Sequence, residues 1–205
     1  MLDVVIAGTA LILLAPVMAL IAALIRITSP GPALFRQTRV GYQQRSFVML
    51  KFRSMYVDSS DDVHRAFVSR MFSADAPTRG DGDGDGDGIH KLSGDRRITS
   101  VGRILRSTSL DELPQLINVL RGEMSLVGPR PALDWEVKLY QPHHHERFSV
   151  KPGLTGLWQV SGRSRLTMTE ALELDVEYAR RRSVPLDLLI LLKTIPAILL
   201  PGAAR

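Results

Sequence analysis

Apolar residues are distributed unevenly along this 205-residue chain. From Val4 to Ile25 they form an almost unbroken run of 22 residues. At about 1.5 Å per helical residue, such a run is long enough to cross a hydrocarbon core of roughly 30 Å. Pro16 stands near its middle, and periodicity alone does not separate a kinked spanning helix from a re-entrant helix that turns back at the proline. The flank before the run holds Asp3 and no Lys or Arg, and the run exceeds a usual signal-peptide core. A retained anchor over residues 1–27 is therefore expected.

Downstream the pattern breaks into short pieces. Alternation between Phe35 and Leu50, around Gly41-Tyr42-Gln43-Gln44, predicts a small β-hairpin that carries Lys51, Phe52 and Arg53 toward the membrane surface. Leu113, Leu116, Ile117, Val119 and Leu120 have the spacing of a short amphipathic helix. Glu170 to Arg182 sets Leu172, Leu174, Val176 and Tyr178 among charges. The apolar stretch after Pro185 is interrupted by Asp187, Lys193 and Pro196. It falls short of the roughly 20 residues of a span, which predicts an interfacial helix over about 186–200. These elements describe an α+β, mainly helical fold, with residues 28–205 as one domain beside the anchor.

Charge sharpens this picture. The anchor is followed by Arg26, Arg36, Arg39, Arg45, Lys51 and Arg53, a cluster that places the domain on the cytoplasmic side and suits an anionic lipid surface. The net charge of +5 and pI near 9.9 raise nucleic acid as a partner. Aromatic residues are few and not interleaved with the basic ones, so the base-stacking surface is missing and nucleic acid is set aside. With no Cys, disulfides and thiolate metal sites are excluded.

Two segments look chemical and read as bland. Residues of about 73 to 90 form a flexible insertion that includes the repeat Asp81 to Gly88. Its opening resembles a calcium loop, but the twelfth position is Leu92 rather than the bidentate Glu such a loop needs. His143, His144 and His145 follow Pro142 in a loop-like context, and three consecutive histidines on one element do not all face one ion. They read as surface residues.

The chemistry concentrates between Thr108 and Pro131. Asp111 and Glu112 precede the short apolar helix, near a terminus whose N–H groups favour negative charge. Adjacent helical positions do not face each other, so the pair suits two separate jobs. One carboxylate is suited to a hard cation such as Mg²⁺ and the other to attack on phosphorus. Arg106 lies upstream and Arg130 follows Gly128-Pro129, and guanidinium forks match phosphate oxygens. The bland alternative is a capping box from Ser109 to Glu112. Pro114 opposes it, since proline prefers the first turn, and a helix that begins near Pro114 leaves both carboxylates outside it.

This stretch resembles the signature of the bacterial sugar transferases known as monotopic phosphoglycosyl transferases. Further blocks match in the same order: Thr28 to Pro32, Arg39-Val40-Gly41, Lys51 to Met55, Arg97-Ile98-Thr99, Lys151 to Gly156, and Gln159 to Arg163. The resemblance implies transfer of a sugar-1-phosphate, with a hexose as the expected sugar, from a UDP-sugar to polyprenyl (undecaprenyl) phosphate, with release of UMP. Asp111 is then the nucleophile that forms a phospho-sugar aspartyl intermediate, and Glu112 binds Mg²⁺. Arg106, Arg130, Arg53 and Arg163 are the expected phosphate ligands. Pro129, Pro131, Gly156 and Gln159 are expected to shape the nucleotide site or its loops, with purely architectural turns as the alternative for the glycines.

The resemblance also implies a re-entrant anchor in the bacterial inner membrane, broken at Ala15-Pro16. The family commonly has Ser where this chain has Ala15, which removes a hydroxyl able to satisfy a carbonyl freed at the break. Membrane lipids are expected partners, and a homodimer is left open. Two rivals stay beside this reading: a catalytically inactive nucleotide-sugar-binding or scaffold relative, and a hydrolase in which water resolves the aspartyl intermediate.

Overall fold

The computed structural model describes residues 2–57, 97–162 and 166–199. The Asp-Gly repeat and Arg163 lie outside the described residues. Among the described residues the fold is mostly helical with two small sheets.

Helix α1 covers Leu2–Thr28 and continues as one element through Pro16. Asp3 in its first turn and Arg26 in its last complement the helix dipole. Only Ala7, Ile21 and Ile25 are buried, while Val5, Ile12, Leu13, Leu20 and Ile27 are exposed. An apolar helix with so narrow a buried stripe needs another apolar phase around it. Both of its ends are held by the same globular body. The Ser125 hydroxyl donates to Asp3 Oδ2 at 2.7 Å. At the other end Arg53 Nη2 donates to the Ser29 carbonyl at 2.8 Å.

Strands β1 (Leu34–Val40) and β2 (Ser46–Phe52) form the predicted antiparallel hairpin, in register Phe35↔Lys51, Gln37↔Met49 and Arg39↔Phe47. Its turn, Tyr42–Gln44, holds Gln43 and Gln44 at positive φ. Helix α2 (Ser100–Ser107) is capped by Thr99, whose Oγ1 accepts from the Gly102 N–H at 2.9 Å. A Cβ on Gly102 would lie 2.0 Å from the Ser54 carbonyl, so this glycine is what lets α2 lie against the strand β2 continues into. Helix α3 (Gln115–Leu120) follows. Its Asn118 acts as a surrogate strand: Oδ1 accepts the Leu50 N–H at 3.0 Å and Nδ2 donates to the Val48 carbonyl at 2.7 Å. That satisfies the free edge of β2 in the interior.

Strand β3 (Ser125–Val127) pairs in parallel with β4 (Gly153–Thr155). Between them come the short helix α4 (Asp134–Val137) and a 3₁₀ segment, Pro142–Ser149. Helices α5 (Leu157–Ser161), α6 (Met168–Arg181) and α7 (Val184–Leu199) complete the chain. A Thr167–Glu170 capping box starts α6. The main core gathers Ala7 of α1, Met49 of β2, Leu116 and Val119 of α3, Leu126 of β3, Tyr178 of α6 and Ile190 of α7. Each such buried side chain contributes about 1.5–3 kcal/mol of hydrophobic stabilisation. A second cluster sets Ile21 and Ile25 of α1 against Phe52 and Leu105, so the anchor is part of the fold. Helix α7 buries Ile190 and leaves Leu188, Leu189, Leu192 and Ile195 exposed.

Candidate active site

The carboxylates stand on a turn whose shape is set residue by residue. Thr108 ends α2 by returning its hydroxyl to the Ile104 carbonyl at 2.8 Å. Ser109 then takes a left-handed conformation, φ 57°, which reverses the chain. Leu110–Glu112 make one 3₁₀ turn, and Pro114 sits immediately before α3. The predicted helix therefore starts at the proline, and Ser109 makes no side-chain cap bond. Asp111 is buried, and Glu112 reaches the hairpin, where Oε1 accepts from Lys51 Nζ at 2.8 Å. Lys51 and Glu112 side chains keep 25% and 34% of their exposure, so this pair is open to exchange with incoming ions.

Lys51 lies on one face of the hairpin with Met49, Phe47, Phe35, Gln37 and Arg39. Arg39 is buried at the far end of that face, where Nη1 donates to the Pro131 carbonyl at 3.1 Å and Nη2 to Gln37 Oε1 at 2.7 Å. Burial, and then the nearby Arg130 cation, pull its guanidinium down to about 9, so it stays charged at neutral pH. Its bond to the Pro131 carbonyl ties the hairpin to the arginine loop.

That loop is Gly128-Pro129-Arg130-Pro131. Arg130 Nη1 donates to both oxygens of Glu136, at 3.2 and 3.1 Å, and Glu136 is only 1% exposed. Glu136 also accepts the Leu133 N–H at 2.8 Å, at the start of α4. Burial alone would raise the Glu136 carboxyl, but Arg130 and then Arg39 hold it below the usual carboxylate range. The loop is seated by close backbone contact. The Gly128 N–H donates to the Thr155 carbonyl at 2.9 Å and the Gly153 N–H to the Pro129 carbonyl at 2.9 Å. A Cβ on Gly153 would lie 2.1 Å from Gly128 N, and one on Gly156 would lie 2.3 Å from Gly128 O. The glycines of the Lys151–Gly156 motif thus permit close approach. Neither is among the positive-φ residues, so close packing rather than backbone conformation is what requires glycine there.

The remaining expected residues are used differently. Arg106 is in the last turn of α2, just before the carboxylate turn. Arg53 is buried, and its guanidinium caps α1: Nη1 donates to the Pro30 carbonyl at 2.7 Å, Nη2 to the Ser29 carbonyl and hydroxyl at 2.8 Å. The expected phosphate ligand is an anchor clamp, and Gly31, at φ +112°, gives it room. Gln159 is in α5, and its buried Oε1 finds no hydrogen-bond partner among the described residues. The basic cluster expected on lipid divides: Arg26, Arg36 and Arg45 are exposed, whereas Arg39 and Arg53 turn inward.

The histidines need a correction. His144 is buried, and His143 Nε2 and His144 Nε2 lie 2.6 and 3.1 Å from one oxygen of Glu173. Two adjacent histidines converge because a 3₁₀ turn packs their rings 4.1 Å apart against α6. The Gln141 N–H donates to His144 Nδ1 at 3.2 Å, which assigns the proton of the neutral ring to Nε2 and makes the contact a hydrogen bond to Glu173. The three donors resemble a metal set, but a metal on Nε2 would require the proton on the nitrogen that Gln141 already addresses.

Sequence reasoning placed Lys51 and Arg39 in the basic cluster expected on lipid and not beside the carboxylates or the arginine loop. Their signal was available: alternate positions 47, 49, 51 and 35, 37, 39 share one face once the hairpin register is set.

The chain is similar over most of its length to several known proteins. It is 40% identical over 198 residues to the exopolysaccharide production protein ExoY of Rhizobium meliloti, covering 97% of this chain and 84% of that protein. It is 42% identical over 207 residues to the UDP-glucose:undecaprenyl-phosphate glucose-1-phosphate transferase of Caulobacter vibrioides, covering 97% and 68%. The undecaprenyl-phosphate galactose phosphotransferase of Salmonella typhimurium is 40% identical over 169 residues, 82% of this chain and 34% of that protein. The bacterial sugar transferase model matches residues 1–201, nearly the whole chain, and the protein belongs to that family.

Proposed function

We propose that this protein transfers a hexose-1-phosphate from a UDP-sugar to undecaprenyl phosphate at the cytoplasmic face of the bacterial inner membrane. The observation that carries the reading is the carboxylate turn: Asp111 is buried beside a Glu112 that meets Lys51 of the hairpin, on the face that also carries Arg39. The Asp111 carboxylate attacks the phosphorus that bears the sugar, and the bond to the UMP phosphate breaks, so UMP leaves with the electron pair. An oxygen of undecaprenyl phosphate then attacks the same phosphorus and expels Asp111. No base is needed in the first step, because a carboxylate is ordinarily ionised at neutral pH. Lys51, Arg39 and Arg130 offset the phosphate charge as it redistributes.

A partly exposed carboxylate, Glu112, beside the buried Asp111 is a donor set that fits Mg²⁺. Lys51 Nζ already shows that the Glu112 oxygen accepts a cation at 2.8 Å. Glu112 would hold the ion, which would supply additional charge neutralisation at the phosphates.

A re-entrant rather than spanning anchor is supported by the contacts at both ends of α1. Asp3 and the Ile25–Ser29 end are bonded to one and the same globular body, whereas a spanning helix would carry its first turn to the opposite surface. The exposed apolar faces of α1 and α7 supply the lipid contact, and the exposed Arg26, Arg36 and Arg45 favour the cytoplasmic side.

The test is UMP release from a set of UDP-sugars by the chain in nanodiscs, with Mg²⁺, with and without undecaprenyl phosphate. Lipid-dependent release with a hexose donor is expected. Release that continues undiminished without the lipid would mean a hydrolase, and silence with all donors would leave a binding or scaffold role.

A further inference from the structure

Arg130 is gripped at its main chain as well as at its guanidinium. Its carbonyl accepts a 2.6 Å hydrogen bond from Arg147 Nη2, and the same nitrogen meets Asp175 Oδ2 at 2.5 Å. Arg147 Nη1 donates to the Tyr140 hydroxyl at 3.0 Å. The Arg147 guanidinium also lies over the rings of Tyr140 and Phe148, 5.4 Å from each centroid. Both charged side chains are shut away from water, at 2% and 3% exposure.

The geometry of the pair is not that of a simple stabilising bridge. A closed Arg–carboxylate fork uses two N–H groups on two oxygens. Here Arg147 Nε and Asp175 Oδ1 are buried without hydrogen-bond partners among the described residues. The second arm of the fork is given up, and Nη2 is shared with a carbonyl of the arginine loop instead. A buried ion pair adds little net stability, since the cost of desolvation offsets the attraction. Such a pair does hold a donor at one place, because neither charge can leave without stranding the other.

We infer that Asp175 and Arg147 are positioning residues for phosphoryl transfer: they fix the Arg130 carbonyl and so set where the Arg130 guanidinium meets substrate phosphate. Asp175 comes from α6 and Arg147 from the 142–149 segment. The same two elements are also joined by His143 and His144 with Glu173, and by Glu146 with Arg180. The outer contacts align the elements, and the buried one reaches the loop. This inference rests on the transferase reading.

The experiment is a double-mutant cycle on lipid-dependent UMP release, with kcat and KM for the UDP-sugar measured for wild type, Asp175→Asn, Arg130→Ala and the double variant, beside their melting temperatures. Displacement of a phosphate-binding group by a fraction of an ångström to 1 Å predicts a loss of about 10–100-fold in kcat/KM for Asp175→Asn. With Arg130 already removed, Asp175→Asn should cost nothing further. Arg147→Lys, which keeps the buried charge but loses the fork, gives the same cycle if Asp175→Asn does not fold. Additive losses, or wild-type kcat/KM in the single variants, would overturn the positioning role while leaving the transferase reading intact. A wild-type chain that turns over no donor would instead sink the transferase reading, and this inference with it.

Discussion

The carboxylate turn and the arginine loop bring opposite charges to one place by opposite means. Glu112 and Lys51 share a single contact between two half-exposed side chains. Around Arg130, Glu136, Arg147 and Asp175 are almost fully buried, and the loop backbone is bonded on both sides to β4. A partly solvated ion pair exchanges partners at little cost, whereas a buried network is expensive to open. The first region therefore suits groups that must change partners during a reaction. The second suits a group that has to stay where it is while charge moves past it.

The largest expected effect is at the reactive end. Asp111→Asn should reduce UMP release by roughly 10³-fold or more, as loss of a nucleophile does, while the protein stays in the membrane fraction. Substantial residual turnover would move the nucleophile elsewhere. Next is the buried network. Arg147→Met should lower unfolding stability by about 3–5 kcal/mol because it strands Asp175, and the double variant Arg147→Met/Asp175→Leu should recover most of that loss. Denaturant unfolding in detergent reads both, and an unrecovered double variant would make the network a net source of stability.

Gly153→Ala puts a Cβ 2.1 Å from Gly128 N and should cost about 1–3 kcal/mol by forcing β3 and β4 apart. A Tm equal to wild type would show that the loop is less tightly seated than its contacts imply. Lys51→Met should change stability by less than about 1 kcal/mol while lowering turnover about 10-fold. A stability loss as large as that of Arg147→Met would erase the contrast between the two regions.

The smallest effect concerns pH. Burial holds the His144 imidazole below its ordinary value, against the opposing hydrogen bond to Glu173. The unfolded chain therefore takes up a proton from about pH 6.5 downward while the folded chain does not. Stability should fall gradually through that range until the folded ring is protonated as well, and His144→Gln should flatten the decline. Below its ordinary value of 4.5, Glu136 adds a further loss, since its carboxyl is held low in the fold. A His144→Gln melting profile parallel to wild type from pH 7 to 5 would remove His144 from this account.

Much of the chain was readable locally. The Val4–Ile25 run is apolar whatever surrounds it, and alternation around Gly41 to Gln44 marks the hairpin. Pro114 fixes where α3 begins, because proline fits the start of a helix and not its interior. The adjacent carboxylates and their place before α3 are likewise legible in the sequence. Arg53 and the histidines were misread because a charged side chain is equally soluble on a surface and in a buried hydrogen-bonded niche, and residue type does not choose between them. Arg53 became a helix cap because α1 ends beside β2. His144 was buried by α6, a helix more than twenty residues away in sequence.

The sequence by itself determined the long apolar helix, the hairpin, the start of α3 and the adjacent carboxylates that precede it, since each depends on near neighbours along the chain. Only the tertiary structure decided where the cations go. Strand register carries Lys51 to Glu112 and Arg39 to the Pro131 carbonyl, the β3–β4 contact seats the loop of Arg130, and Arg53 is taken by the end of α1. Burial and charge pairing are properties of packed surfaces, and no local pattern of residues encodes them.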